Sequence, residues 1–202
     1  TVSSPISDQS FNEDAPNTTI DLANVFADID NDDSAITKAV ESNSNSSLVS
    51  ASISGNTLTL DYQSNQNGST TIVVRGTSNG LTVDDSFTVT VTAVNDEPSF
   101  TKGLDITVNE DSGASTTATW ATSISAGPSN ESSQSLTFNV SNDNASLFSS
   151  APSVNSSGTL TFTSATDANG SATVTVSISD NGGTSNGGDN ISPNQTFTIT
   201  VT

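Results

Sequence analysis

Acidic side chains are the residues of this sequence with the most distinctive chemistry. The 202-residue chain carries 22 Asp and Glu against only three Lys and Arg, a formal net charge of −19. Many of the acids stand beside asparagine in short runs, such as Asn12-Glu13-Asp14 and Asn95-Asp96-Glu97. Carboxylate and asparagine oxygens are ligands that Ca²⁺ prefers, and one ion takes about six to eight oxygens. We therefore expect calcium sites where the fold brings several of these runs together.

The same composition excludes other chemistry. The chain has no His and no Cys, so it cannot form a Ser-His-Asp or Cys-His arrangement or the usual site of a zinc hydrolase. Paired carboxylates can hydrolyse glycosides. Such pairs lie in a walled cleft, however, and small modules with acids on their end loops offer none. We expect a protein that is not an enzyme.

The charge also limits the partners of the chain. Lys38, Arg75 and Lys102 are its only basic residues, and contacts to phosphate backbones or anionic lipids need many more, so we expect no nucleic acid and no anionic membrane surface. No apolar run approaches the roughly 18 residues that would span a bilayer, so we expect no membrane insertion. No signal peptide opens the chain, and Thr1 and Thr202 both lie beside strand-like sequence. These features predict a piece of a longer protein.

Alternating apolar residues predict β-strands. From 87 to 93, apolar residues at odd positions alternate with threonines at even positions, and this period of two is typical of a strand with one buried face. Acidic residues and Pro98 follow. Because proline has no N–H to continue a strand ladder, the strand is expected to end before it.

The sequence after Pro98 repeats the sequence before it. Val108-Asn109-Glu110-Asp111 matches Phe11-Asn12-Glu13-Asp14. Three further pairs of matching stretches follow in the same order: 56–60 with 158–162, 67–72 with 169–174, and 87–91 with 197–201. We therefore predict two copies of one module, residues 1–95 and 99–202, joined by a calcium-binding linker at 96–98. Short strands separated by turn signals, with no convincing helix, predict that each copy is an antiparallel β-sandwich of the immunoglobulin-like kind, so the fold class is all-β.

The two ends of a sandwich gather loops from distant parts of the chain, so acids far apart in sequence can converge there. The set expected at the junction is Glu13, Asn65, Asn95 and Asp96 from the first module and Glu131 and Asp180 from the facing end of the second. Two outer half-sites, each completed by a neighbouring repeat, are expected at Asp28, Asp30 and Asp32 and at Glu110, Asp111 and Asp167. The alternative for each of these acids is an ordinary solvated carboxylate.

Five motifs carry a family resemblance: Asn12-Glu13-Asp14, Asp28-Ile29-Asp30-Asn31-Asp32, Val94-Asn95-Asp96-Glu97-Pro98, Asn109-Glu110-Asp111 and Ile178-Ser179-Asp180-Asn181-Gly182-Gly183. In combination they resemble the tandem cadherin-like repeats of large bacterial surface proteins, over essentially the whole chain. The resemblance implies a secreted, cell-surface protein that is often adhesive and whose modules are joined end to end by Ca²⁺. Its implied partners are neighbouring repeats of the same chain and a surface glycan or protein ligand.

The resemblance also assigns roles to individual residues. Glu13 is similar to the Glu near the first cadherin strand, Asn95-Asp96 to the linker pair, and Asp180 to the Asp after the sixth strand. Two departures leave the number of ions at the junction open. The linker has Asn-Asp-Glu-Pro in place of Asn-Asp-Asn-Ala-Pro, and Gly127-Pro128-Ser129-Asn130-Glu131 stands where Asp-x-Asp is usual.

A second hypothesis is a calcium-dependent carbohydrate-binding module appended to a secreted polysaccharide-acting enzyme. Sugars stack on exposed aromatic rings, and Trp120 and Tyr62 are the only Trp and Tyr of the chain. The competing interpretation is that Trp120 packs over the edge of the core.

Overall fold

The chain forms two separate β-structures. The computed structural model describes all 202 residues, and the chain divides into two compact units, Thr1–Val94 and Asn95–Thr202. Each unit has a hydrophobic core of its own, and neither contains a helix longer than a three-residue 3₁₀ turn. The predicted all-β fold is confirmed.

The first unit has seven strands: β1 (Gln9–Asn12), β2 (Thr18–Asp21), β3 (Thr37–Asn43), β4 (Val49–Ser54), β5 (Thr57–Tyr62), β6 (Gly68–Ser78) and β7 (Leu81–Thr92). One sheet has the order β1-β7-β6-β3 and the other the order β2-β5-β4. Neighbouring strands are antiparallel, except that β1 runs parallel to β7. The two sheets enclose one core, as in a β-sandwich.

Alternation along the two longest strands builds that core. Ile72 of β6 lies opposite Phe87 of β7, and both side chains are buried together with Val74, Val89 and Val91. The threonines between the apolar residues of β7 point away from the core. Burial of branched and aromatic side chains on one face only is what fixes the register, since a slip of one residue would expose all of them.

The second unit has nine strands: β8 (Ser99–Thr101), β9 (Ile106–Val108), β10 (Ala114–Thr117), β11 (Thr122–Ser125), β12 (Thr137–Asn142), β13 (Phe148–Val154), β14 (Leu160–Ser164), β15 (Gly170–Ser179) and β16 (Gln195–Val201). The sheet orders are β9-β16-β15-β12 and β10-β14-β13, with β8 paired to β11. Strand β9 runs parallel to β16. Apart from β8 and β11, the order and pairing repeat those of β1 to β7. The β8–β11 pair has its counterpart in a single bridge between Val2 and Phe26 of the first unit.

Candidate functional site

Two buried carboxylates lie in loops of the second unit. Glu131 ends the 3₁₀ turn Ser129–Glu131, which connects β11 to β12, and Asp180 directly follows β15. Their exposed fractions are only 6% and 8%. Lys102, the one basic residue of this unit, is exposed to solvent. Burial of a carboxylate destabilises the protein unless hydrogen-bond donors or a positive charge compensate for its lost hydration.

Asn95 and Asp96 join these carboxylates into one network. The backbone N–H of Asp96 donates to Glu131 Oε1 at 3.0 Å, and Asn95 Nδ2 donates to Asp180 Oδ1 at 3.1 Å. Gln134 Nε2 in turn donates to Asn95 Oδ1 at 2.7 Å. We call these five residues, Asn95, Asp96, Glu131, Gln134 and Asp180, the Asn95 cluster. The cluster brings together four of the residues predicted from the sequence and adds Gln134, which was not predicted.

The two oxygens of Asp180 are in different situations. Oδ1 accepts hydrogen bonds from Asn95 Nδ2 and from the Gly182 N–H, at 3.1 and 2.8 Å. Oδ2 is buried and accepts none, and the same holds for Gln134 Oε1. Both are pure acceptors, so burial without a donor leaves them short of the stabilisation that water gives them. A cation is the kind of group that would supply it.

Glycines make room for the polar groups of the cluster. A β-carbon on Gly127 would collide with Glu131 Oε2, and one on Gly182 would collide with Asn95 Oδ1. A β-carbon on Gly188 would stand within 3.0 Å of the backbone nitrogen and the carbonyl oxygen of Asn95. Side chains at these three positions would therefore displace the carboxylate or the amide that the cluster depends on.

In the first unit, Glu13 holds the chain that follows the last strand. Because β1 is parallel to β7, both strands finish at the same end of the sheet, which places Glu13 next to Val94. Glu13 is 4% exposed; its Oε1 accepts the Val94 N–H at 2.6 Å, and its Oε2 accepts from Asn67 Nδ2 at 3.4 Å. Asn65 is nearby in sequence, but its backbone N–H bonds to Asp14 Oδ1 at 3.0 Å. The contact of Asp14 with Asn65 and that of Asn67 with Glu13 were not predicted from the sequence.

The predicted half-site Asp28, Asp30 and Asp32 lies in the loop between β2 and β3. Its carboxylates bond mainly to the loop itself: Asp28 accepts from the Asp30 N–H at 3.1 Å and from Asn31 Nδ2 at 2.9 Å. A hydrogen bond from the Ser78 side chain, with a smaller effect from Asn31, holds the pKa of Asp28 below its usual value. The backbone N–H of Ser34 does the same to the pKa of Asp32. Asp28 and Asp32 therefore act as turn-forming residues in this conformation.

Glu110, Asp111 and Asp167 all lie exposed in the second unit. The Asp167 N–H donates to Asp111 Oδ1 at 3.2 Å, the same contact that Asn65 makes with Asp14. All four of these residues have left-handed backbone conformations, with φ between 52° and 58°. The repeat therefore extends to the loop contacts. Nowhere in the chain do three or more acidic side chains form a group that could hold a metal by themselves.

The two aromatic residues considered for sugar stacking are buried. Trp120 is 3% exposed, donates from Nε1 to the Leu104 carbonyl at 3.1 Å and packs on Phe197 with ring centres 4.4 Å apart. Tyr62 is 6% exposed, and its hydroxyl bonds to Thr18 Oγ1 at 2.6 Å. Neither ring offers a free face to a ligand, so Trp120 and Tyr62 cannot provide the aromatic stacking that the carbohydrate-binding hypothesis considered.

Comparison with known proteins identifies the fold. No protein-family model matches the chain, and no curated protein matches it in sequence. Among solved structures, human protocadherin-24 EC1-2 in its form II crystal is similar, with a TM-score of 0.57 at 15% identity over 96% of this chain and 95% of that one. Extracellular cadherin domains 1–4 of protocadherin gamma B7 give a TM-score of 0.51 at 17% identity, and Drosophila N-cadherin EC1-4 gives 0.50 at 12%.

The match to protocadherin gamma B7 covers 96% of this chain and 48% of that structure. The match to N-cadherin covers 97% of this chain and 49% of that structure. Identities this low show the fold alone. The chain therefore has a cadherin-like β-sandwich fold. No helix of the structure combines the length and apolar character needed to cross a membrane.

Proposed function

We propose that the chain is a pair of calcium-binding, cadherin-like repeats that acts as an adhesive or structural spacer in an extracellular bacterial surface protein, without catalytic activity. The observation that carries the calcium part is the Asn95 cluster, where Asp180 Oδ2 and Gln134 Oε1 are buried acceptors that receive no hydrogen bond. The family resemblance of the sequence supports the bacterial surface part, and the cadherin-like fold supports an adhesive or structural module.

The donor set of the Asn95 cluster fits calcium better than other common cations. The ligands that we propose are the carboxylates of Glu131 and Asp180 and the amide oxygen of Gln134, because no three acidic side chains form a group that could hold a metal by themselves. Ca²⁺ binds such a mixture of carboxylate and amide oxygens in variable geometry. Zn²⁺ favours the nitrogen of His and the sulfur of Cys, and the chain contains neither residue. In this proposal, Asp180 and Glu131 supply the charge and Gln134 supplies a neutral oxygen.

Isothermal calorimetry of the whole chain with CaCl₂ tests this assignment. We expect saturable binding that is lost, or weakened at least about tenfold, in Glu131→Gln and Asp180→Asn. Glu97→Gln is the matched control, because Glu97 is an exposed neighbour of Asp96 in the sequence. Unchanged binding in both cluster variants would overturn the proposal.

The same site would restrict the connection between the units, since Asn95 and Asp96 belong both to the cluster and to the segment that follows the last strand of the first unit. We propose that calcium stiffens residues 95–98. Small-angle X-ray scattering of the chain, with calcium and with chelator, should give different distributions of interatomic distances. Identical curves in the two conditions would contradict the stiffening.

A further inference from the structure

An apolar pocket opens on the surface of the first unit. It has a volume of about 180 Å³ and is lined by the buried side chains Phe26 and Ile36, with Val83 beside them. Ile29 and Leu81 also line it, yet they are 98% and 79% exposed. Large apolar side chains that stand in solvent around an apolar recess are the usual sign of an interaction surface.

The floor of the pocket is closely packed. The ring of Phe26 lies directly against the backbone of Gly76 in β6, where a β-carbon would stand 2.7 Å from Phe26 Cγ. Gly76 therefore allows the ring to sit flat on the strand. The Phe26 side of the pocket is part of the packed sandwich, while Asp28 and Ile29 line it from the loop between β2 and β3.

Acidic side chains lie beside Ile29 in the sequence. Asp28, Asp30, Asp32 and Asp33 flank Ile29 in the loop before β3. Both basic side chains of this unit have partners outside that loop. Lys38 donates to Asn56 Oδ1 at 2.8 Å, and Arg75 forms ion pairs with Asp84 and Glu41. An apolar side chain accompanied by a positive charge is the complement of this surface.

The chain itself contains one segment of that kind, Lys102-Gly103-Leu104 in the second unit. Leu104 is 85% exposed and Lys102 is exposed as well, and neither salt bridge of the chain involves Lys102. The segment is held rigidly, because the Leu104 carbonyl accepts from Trp120 Nε1 and Gly103 packs closely on the same ring. A rigid segment loses little conformational entropy when it binds.

We propose that the pocket of one chain receives Leu104 of a second copy, with Lys102 of that copy lying against the aspartates of the 28–33 loop. Such a contact joins two different surfaces and is heterologous. It would bury three of the four large hydrophobic residues that are exposed in the structure, Ile29, Leu81 and Leu104; the fourth is Ile191. Because each copy carries a charge of −19, we expect association at physiological ionic strength, where charges further apart than about 8 Å are largely screened.

Sedimentation velocity of the whole chain over a range of concentrations tests the contact. The wild type should show a mass that rises with concentration. Leu81→Ser and Leu104→Ser should each weaken association at least about tenfold, because each removes a buried leucine side chain from the contact. Ile191→Ser is the matched control and should associate like the wild type. Circular dichroism of each variant checks that the fold is kept.

Mixing the two variants distinguishes this contact from general stickiness. Leu81→Ser keeps an intact Leu104, and Leu104→Ser keeps an intact pocket, so an equal mixture should associate although neither variant does so alone. Lys102→Glu should weaken the association, and Asp30→Lys in the partner copy should restore it. A wild type that stays monomeric, a mixture that stays monomeric, or a Leu104→Ser variant that associates as the wild type does would each overturn the proposal. The last result would mean that the pocket serves a different occupant.

Discussion

At the scale of single residues, what separates the buried acids is how many of their oxygens have donors. Both carboxylate oxygens of Glu13 accept hydrogen bonds, from Val94 and Asn67. Only Oδ1 of Asp180 does, although its side chain is buried to a similar extent. A carboxylate that is buried and half satisfied is expected to destabilise the protein unless something else binds it.

Asp180→Asn should therefore have opposite effects in two buffers. In chelator the variant should melt at least as high as the wild type, because the substitution removes a buried charge and keeps an oxygen for the Asn95 and Gly182 donors. In excess calcium the melting temperature of the wild type should rise because the ligand binds the folded state, whereas that of the variant should not change. Differential scanning calorimetry in both buffers measures this. An equal calcium-induced gain in both proteins would count against a role for Asp180.

A second prediction concerns the one ion-paired cluster of the first unit. Arg75 donates to both oxygens of Asp84 at 2.7 and 2.8 Å, and its hydrogen bond lowers the pKa of Asp84 below the ordinary value of 3.8. A carboxyl group whose pKa is lowered in the folded state stabilises the fold at pH values above its unfolded-state pKa. This stabilisation is lost as the pH falls through the folded-state pKa. Arg75→Gln should thus melt slightly lower than the wild type at neutral pH, since exposed pairs contribute little.

The difference between Arg75→Gln and the wild type should shrink as the pH falls below the ordinary value of 3.8, and it should vanish once the pH is below the lowered folded-state pKa of Asp84. Melting temperatures measured across the acid range check this. A difference that stays constant down to low pH would mean that Arg75 acts through packing of its aliphatic stem and not through its charge.

At the scale of elements, the loop between β15 and β16 encloses Asn95. The Asp189 N–H donates to the Asn95 carbonyl at 2.9 Å, and Asn95 Nδ2 donates to the Asp189 carbonyl at 2.6 Å. Gly182 and Gly188 bring the same loop close enough for these bonds. The loop therefore fixes the amide that connects Asp180 to Gln134.

Gly182→Ala should disturb this arrangement, because the added methyl group would occupy the position of Asn95 Oδ1. We expect calcium affinity to fall at least about tenfold while the two cores stay folded. Gly103→Ala is an informative control: its methyl group would stand 2.5 Å from Trp120 Cδ1, so it should lower the melting temperature and leave the calcium affinity of the folded protein intact. Equal calcium affinity in Gly182→Ala and the wild type would rule out this role for the loop.

At the scale of the whole molecule, each unit has its own core and the Asn95 cluster lies entirely within the second, Asn95–Thr202. Residues 95–202 expressed alone should therefore fold and bind calcium, because they contain every oxygen on which the proposal depends. Calorimetry of this fragment beside the whole chain gives the answer. A folded fragment that binds no calcium would mean that ligands from the first unit are required.

Much of the fold could be predicted because β-strands with one buried face have a period of two. The runs at 87–91 and 197–201 follow that period and form the central strands β7 and β16. Strand β2 could not be found this way. Its sequence Thr18-Thr19-Ile20-Asp21 has a single apolar residue, and the strand exists because it pairs with β5.

The candidate site was predictable to the extent that it depends on where strands end. Asn95, Asp96 and Asp180 follow strand-like runs in the sequence, and Glu131 stands in a Gly-Pro loop. Gln134 and the glycines at 182 and 188 were not predicted, because their importance arises from a close approach to Asn95 that no local pattern encodes. The burial of Trp120 agrees with its expected packing over the core.

The most direct test of calcium binding at the Asn95 cluster is anomalous X-ray diffraction from crystals of the whole chain grown in calcium. We predict an anomalous peak within about 2.3–2.6 Å of Asp180 Oδ2 and Gln134 Oε1, the usual Ca–O distance. Calcium-saturated crystals with no peak beside these two oxygens would contradict it.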